Sequence, residues 1–132
     1  MIVLDANILI ALLDPADPHH EGAVELLDAN IGEELSVSVL TLAEALVHPA
    51  RAGRDDEASA VFDAIGVQVV PLTVDAGALA RQRATARVRM PDAVVLRLAI
   101  DTSAAVATFD AALAAAAVDA GVEVVGAEPA RR

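Results

Sequence analysis

Four acidic residues that lie far apart in the chain are the candidates for chemistry in this sequence. They are Asp5, Glu44, Asp92 and Asp110. Asp5 ends the apolar run Ile2-Val3-Leu4, and such a run is typical of a buried parallel strand. In open α/β sheets, ligands bind at the edge formed by the carboxyl ends of the strands. We therefore expect Asp5, and Asp110 at the end of a later strand, to share that edge.

A sheet edge with several carboxylates needs partners for its negative charge. An ionised carboxylate beside a core strand is unfavourable without a cation or hydrogen-bond donors, and the chain contains no lysine. Carboxylate oxygens, completed by water and phosphate, are the ligands that Mg²⁺ and Mn²⁺ prefer. Such ions lower the pKa of a bound water and stabilise charge that develops on a phosphodiester. The pattern therefore predicts metal-dependent hydrolysis of a phosphate ester.

Three of these acids also have a purely structural interpretation. Glu44 closes the segment 41–44, Thr-Leu-Ala-Glu, which matches a helix capping box. Asp92 follows Pro91 at a predicted helix start, where the helix dipole favours a carboxylate. Asp110 is a good N-cap for the helix that follows it. Taken one at a time, these interpretations are favoured, and only convergence of the acids would favour a shared site.

The paired histidines His19 and His20 are weaker candidates for metal ligands. Adjacent side chains on a helix do not face the same way. An exposed helix start or a packed ring is the favoured interpretation for both.

Apolar periodicity predicts strands that alternate with helices along the whole chain. The predicted strands cover residues 2–5, 35–37, 67–70, 104–108 and 122–125. Five predicted helices cover about 7–13, 55–65, 74–87, 91–100 and 111–120. Two more are predicted between the first two of these. One begins near His19, and the other carries an apolar stripe formed by Val39, Leu42, Ala43, Leu46 and Val47. This order predicts an α/β fold, a single three-layer domain over 1–132 with a central, mostly parallel five-stranded sheet. The tail from 126 to 132 is expected to be frayed.

Composition limits the class of protein. The longest apolar run, Ala111 to Val118, is far shorter than the about 18 residues of a membrane span. The chain has no cysteine, which predicts no disulfides and favours the cytoplasm. A net charge of −11 disfavours a tight binder of nucleic acid, but not an enzyme that meets phosphate through a divalent cation. All nine basic residues are arginine, and four precede Asp92 closely: Arg81, Arg83, Arg87 and Arg89.

In this order and context, four short motifs resemble a PIN domain of the VapC toxin type. They are Leu4-Asp5-Ala6-Asn7, Thr41-Leu42-Ala43-Glu44, Met90-Pro91-Asp92-Ala93 and Ala107-Thr108-Phe109-Asp110. The resemblance spans residues 2–125. It implies a ribonuclease that holds Mg²⁺ or Mn²⁺ on Asp5, Glu44, Asp92 and Asp110, with Asn7 and Thr108 in support. It also implies an RNA substrate, a homodimer and a cognate VapB-type antitoxin.

The sequence departs from that family pattern at two places. A basic residue often follows the fourth acid in such proteins, whereas Ala111 stands there. A cation that positions phosphate could come instead from Arg87 or Arg89. The turn before the fourth strand often has glycine, and here it is 101–103, Asp-Thr-Ser. Neither departure removes an acid.

Other classes fit less well or stay open. A phosphoacceptor receiver domain and a haloacid-dehalogenase-like phosphatase would both need lysine, and the second would need an aspartate where Asn7 stands. A non-catalytic binding module, or another metal-dependent phosphoesterase on the same fold, stays open. The apolar stripe on the Glu44 helix exceeds the needs of a small core, so we expect another chain to cover part of that surface.

Overall fold

The computed structural model describes residues 1–126. Within them, strands β1 (Ile2–Leu4), β2 (Leu35–Ser38), β3 (Val67–Val70), β4 (Ala105–Ala107) and β5 (Val124–Val125) alternate with helices. The helices are α1 (Ala6–Leu13), α2 (His20–Ala29), α3 (Val39–Arg51), α4 (Asp55–Ala64), α5 (Ala76–Ala86), α6 (Met90–Thr102) and α7 (Ala111–Asp119). The predicted α/β fold is confirmed.

The strands form one sheet in the order β3-β2-β1-β4-β5. Every neighbouring pair is parallel, so the sheet is parallel throughout rather than mostly parallel. β1 lies at the centre, with Leu4 beside Ala107 of β4. The carboxyl ends of β1, β2 and β4 therefore meet at one edge, and α1, α3 and α7 start from it.

Helices cover both faces of the sheet. Because successive side chains of a strand point to opposite faces, Ile2 and Leu4 pack on one side and Val3 on the other. The first core contains Ile2, Leu4, Ile8, Leu9, Leu26, Leu35, Val37, Ala45 and Phe62, from β1, β2 and α1 to α4. The second contains Val3, Val95, Leu96, Val106, Leu113 and Ala117, mostly from α6 and α7. The sheet and its two helical layers make the predicted three-layer arrangement.

Helix α3 buries only part of the apolar stripe predicted for it. Thr41 and Ala45 are its buried residues, and Leu42 and Leu46 are half-buried against the first core. Val39 and Val47, at the two ends of the predicted apolar stripe, are 47% and 46% exposed. Because α3 turns its Thr41–Ala45 side toward the sheet, part of the stripe lies at the surface, and its cover by another chain stays a prediction.

Two further predictions concern the chain ends and membranes. No helix within residues 1–126 is long and apolar enough to cross a membrane. The expected frayed tail lies outside the described residues except for Gly126. The assignment of 1–132 to a single domain stays a prediction.

Candidate active site

Asp5 stands directly after β1 and is the N-cap of α1. Its backbone is extended, and its Oδ1 accepts a hydrogen bond of 2.8 Å from the Ala6 N–H. Its Oδ2 accepts a hydrogen bond of 2.7 Å from the hydroxyl of Thr108. The residue is only 9% exposed. Both oxygens of a buried carboxylate are thus held in place by donors from two different parts of the chain.

Thr108 reaches Asp5 because of the strand register. Leu4 pairs with Ala107, so the residue after each strand lies next to the other. The Thr108 Oγ1 also accepts hydrogen bonds from Asn7 Nδ2 at 3.2 Å and from the Asp110 N–H at 3.0 Å. A hydroxyl has one proton and two lone pairs, so these contacts use all of its capacity and orient its proton toward Asp5.

Asn7 ties the same two loops together a second time. Its Oδ1 accepts a hydrogen bond of 3.3 Å from the Phe109 N–H. Asn7 and Thr108, named from the sequence as supporting residues, are therefore in one hydrogen-bonded network with Asp5.

Asp92 enters the site from the opposite layer. It lies in the first turn of α6, next to Pro91, and is 6% exposed. The Nε of Arg89 lies 3.5 Å from its Oδ2, while the Arg89 side chain is 77% exposed. The charge of Asp92 acts on both Asp5 and Glu44. The position of Asp92 at a helix start is as predicted, but its burial beside other acids goes beyond what a helix start requires.

Glu44 is not part of a capping box. Ser38 is the N-cap of α3 and accepts a hydrogen bond from the Thr41 N–H, so Thr41 lies inside the helix. The structural interpretation of Glu44 was therefore wrong. Glu44 instead lies close enough to Asp5 and Asp92 for their charges to interact.

Asp110 combines both interpretations. It is the N-cap of α7, and its Oδ1 accepts a hydrogen bond of 2.9 Å from the Ala112 N–H. It also lies near enough to Asp5 to repel its charge. The side chain is half-buried. Asp110 therefore caps α7 and also belongs to the cluster of acids around Asp5.

Burial and repulsion act on the protonation of this cluster. Burial raises the pKa of Asp5 above its ordinary value, the hydrogen bonds from Thr108 and Ala6 partly offset this, and repulsion by Asp92 and Asp110 raises it further. Partial burial, followed by repulsion from Asp5, also raises the pKa of Glu44, and the Arg89 guanidinium partly offsets this. Asp5 interacts with each of the other three acids and is the centre of the cluster.

The side chains do not form a complete metal cage. As they stand in residues 1–126, no group of three or more His, Cys, Asp or Glu side chains is arranged to hold an ion. The acidic side chains around Asp5 offer carboxylate oxygens as ligands, and these suit hard cations such as Mg²⁺. Mg²⁺ commonly uses one or two carboxylates and takes its other ligands from water and substrate phosphates, so the residues present fit such an ion.

Arginines flank the acids on one side. The guanidinium of Arg89 lies 3.5 Å from Asp92, and its charge also acts on Glu44. It also lines a cavity of about 340 Å³ with Arg83 and Arg87. Arg81 lines a separate cavity. Of the four arginines before α6, the structure brings Arg89 to the acids, with Arg83 and Arg87 next to it, and leaves Arg81 apart.

The two histidines do not act as a pair. His20 Nδ1 lies 2.7 Å from the Ala11 carbonyl oxygen, whereas the exposed His19 ring stacks on Phe109, with ring centroids 4.6 Å apart and planes 12° from parallel. Sequence reasoning missed this contact beside the acids. Nothing local could have indicated it, because the two rings come from distant parts of the chain.

Comparisons with known proteins agree with this fold. A family model described as PIN domain matches residues 2–119. No curated protein sequence matches the chain.

Solved structures similar to it include FitAB bound to an IR36 DNA fragment, with 24% identity, a TM-score of 0.74 and coverage of 100% of both chains. They also include Mycobacterium tuberculosis VapC20, a sarcin-ricin loop cleaving toxin, with 18% identity, a TM-score of 0.72 and coverage of 88% of this chain and 95% of that one. A toxin-antitoxin complex from Klebsiella pneumoniae is 18% identical, with a TM-score of 0.67 and coverage of 83% and 87%.

Proposed function

The chain belongs to the PIN domain family, and from that premise we propose that it is a metal-dependent endoribonuclease, the toxin of a type II toxin–antitoxin pair. The reaction would be hydrolysis of RNA phosphodiester bonds. The family predicted from the sequence is thus confirmed, and the activity is our proposal.

The observation that carries the proposal is the position of Asp5. It is buried, its pKa is raised by burial and by repulsion from Asp92 and Asp110, and it is also close to Glu44. A fold gains no stability from bringing several like-charged carboxylates together. Titratable groups with perturbed pKa values that cluster at a ligand-binding edge are typical of functional sites.

The cofactor we propose is Mg²⁺ or Mn²⁺, held by oxygens of Asp5, Glu44, Asp92 and Asp110. When bound, such an ion supplies a water of lowered pKa and offsets the charge that develops on the phosphate. It would also offset the mutual repulsion of the acids.

Asn7 and Thr108 are positioning residues in this proposal. Thr108 donates to one oxygen of Asp5 and is itself held by Asn7. Because both Asp5 oxygens have fixed donors, the carboxylate keeps one orientation while substrate binds. Such supporting hydrogen bonds commonly change activity by about 10- to 100-fold.

Arg87 and Arg89 are the proposed contacts to substrate phosphates. Guanidinium groups suit phosphate because they offer several donors in one plane. Arg89 is 77% exposed although it lies near Asp92, so its side chain can turn toward a bound RNA. In a chain with a net charge of −11, Arg89 is a cation 3.5 Å from Asp92, and Arg87 lines the same cavity as Arg89.

The proposed partners are RNA, a VapB-type antitoxin and a second copy of the chain. A toxin–antitoxin complex is among the similar solved structures, and Val39 and Val47 leave an apolar face on α3 exposed. An antitoxin could present a cationic side chain to the acids. The proposed compartment is the cytoplasm, where an RNA substrate and an antitoxin would be met.

The test is cleavage of RNA by the purified protein with Mn²⁺, with Mg²⁺ and with chelator. We expect cleavage that requires a divalent ion and is lost in Asp5→Asn and Asp92→Asn. The matched control is Asp56→Asn, which changes an exposed carboxylate in the first turn of α4. If the wild-type protein binds RNA without cleaving it under any of these conditions, the proposal fails and a non-catalytic binding module replaces it.

A further inference from the structure

We propose that His19 and Phe109 form a subsite for one unpaired nucleobase of the RNA, directly beside the acidic cluster. The subsite would hold the base adjoining the scissile phosphate. This inference rests on the proposed ribonuclease function and names the residue pair on which that base would stack.

The cavity beside these rings has a suitable size and place. Its volume is about 510 Å³, and it is lined by both rings and by Gly22, Glu25, Ala111 and Gly126. This is within the range of cavities that bind small molecules. Phe109 and Ala111 flank Asp110 in the sequence, so a base in this cavity would lie next to the proposed cleavage site.

Phe109 differs from the other phenylalanine of the chain. Phe62 is 2% exposed in the first core, whereas Phe109 is half-buried in the loop between β4 and α7. Its backbone N–H is held by Asn7, the residue that also orients Thr108. The backbone of Phe109 is therefore held relative to Asp5, and its ring packs on the ring of His19, as a base-positioning group would need.

The His19 side chain does not serve as the cap of α2. It is the residue before α2, but its side chain makes no capping hydrogen bond, and it is exposed. Its ring lies nearly parallel to Phe109. Parallel rings at a surface are a stacking platform that accepts any base, because every base has an aromatic face.

Glu25 adds a preference among bases. A carboxylate accepts hydrogen bonds from exocyclic amino groups, which adenine, guanine and cytosine have and uracil lacks. Gly22 adds no side chain to the cavity, and a Cβ built there would lie 3.6 Å from the Phe109 ring. The lining therefore leaves room for a base and favours one that has an amino group.

The main experiment measures kcat, KM and cleavage positions on single-stranded RNAs that differ only at the base beside the cleaved bond. For His19→Ala we expect KM to rise about tenfold, as for the loss of one stacking contact, with kcat unchanged. For Glu25→Gln we expect the preference against uracil to fall. His48→Ala is the matched control, because His48 is an exposed histidine that lines a different cavity.

A second measurement does not depend on cleavage. Proton NMR of the His19 ring, during titration with each of the four nucleoside 5′-monophosphates in chelator, should show shifts that saturate at lower concentration for AMP, GMP and CMP than for UMP. If the wild-type protein cleaves RNA but these shifts and the kinetic changes are absent, the subsite is overturned while the ribonuclease proposal stands. If the shifts appear and no RNA is cleaved, the subsite stands and the ribonuclease proposal fails.

Discussion

The segments that follow β1 and β4 each contain an aspartate that caps a helix, but the two aspartates differ in burial. Asp5 and Asp110 both have an extended backbone and both cap a helix, accepting hydrogen bonds of 2.8 Å from the Ala6 N–H and 2.9 Å from the Ala112 N–H. Asp5 follows its strand directly and is buried, whereas Asp110 comes after two further residues and is half-buried. The strand end, and not the cap, therefore determines which carboxylate lies at the centre of the acidic cluster.

Asp5 is also held through its second carboxylate oxygen. Asp5 Oδ2 is held by Thr108, and the network around it includes Asn7. Helix capping and a functional role are thus not alternatives for either aspartate. The following predictions test whether Asp5 really is more central than Asp110.

The largest expected effect is on cleavage. Asp5→Asn should reduce kcat/KM by about 10³-fold or more, because loss of one metal-holding charge removes several kcal/mol of transition-state stabilisation. Asp110→Asn should reduce it by about 10- to 100-fold, since its carboxylate is more exposed and an asparagine can still cap α7. Single-turnover kinetics on one RNA would measure both. Equal losses would contradict the ranking of the two aspartates.

The next effect concerns Thr108, which connects the two segments. Thr108→Val keeps the shape but removes the hydroxyl that donates to Asp5, so kcat should fall by about 10- to 100-fold. The variant should also lose about 1–3 kcal/mol of unfolding free energy, because Asn7 and the Asp110 N–H lose their acceptor. Thr108→Ser restores the hydroxyl and should keep activity within about threefold of wild type. An active valine variant would show that the orientation of Asp5 is unimportant.

A divalent ion should stabilise the fold through the same acids. At about 100 times its dissociation constant, a ligand of the folded state adds about 2.7 kcal/mol to the unfolding free energy. We expect Mn²⁺ to raise the melting temperature of the wild-type protein and of Asp56→Asn, but not of Asp5→Asn. Asp110→Asn should keep part of the shift. Thermal unfolding with and without chelator provides the measurement, and an undiminished shift in Asp5→Asn would place the ion elsewhere.

The smallest effect is on the pH dependence of stability. The pKa values of Asp5 and Glu44 are raised in the folded state, so the folded protein binds their protons more tightly than the unfolded chain does. Their contribution to stability is therefore present below the ordinary carboxyl pKa of about 4 and is lost as the pH rises through the raised values. In chelator, the stability of Asp5→Asn relative to wild type should rise from pH 4 to pH 7. Urea unfolding at several pH values would measure this, and a flat difference would contradict it.

Much of the fold follows from local patterns. The runs that precede Asp5 and Asp110 are strands, and Pro91 places Asp92 in the first turn of a helix, because short apolar runs and proline act on the backbone within a few residues. Glu44 shows where a local pattern misleads. Its segment matches a capping box, but the helix starts earlier because Ser38 at the end of β2 supplies the cap.

By itself, the sequence determined the order of strands and helices, the family, and the acids that could act together, since all of these depend on residue types and short spacings. Only the tertiary structure decided that Thr108 holds Asp5, that Arg89 rather than Arg81 reaches the acids, and that His19 stacks on Phe109. These contacts depend on strand register and on how each helix is rotated against the sheet. Both are determined by packing across the whole core, to which residues distant in the chain contribute.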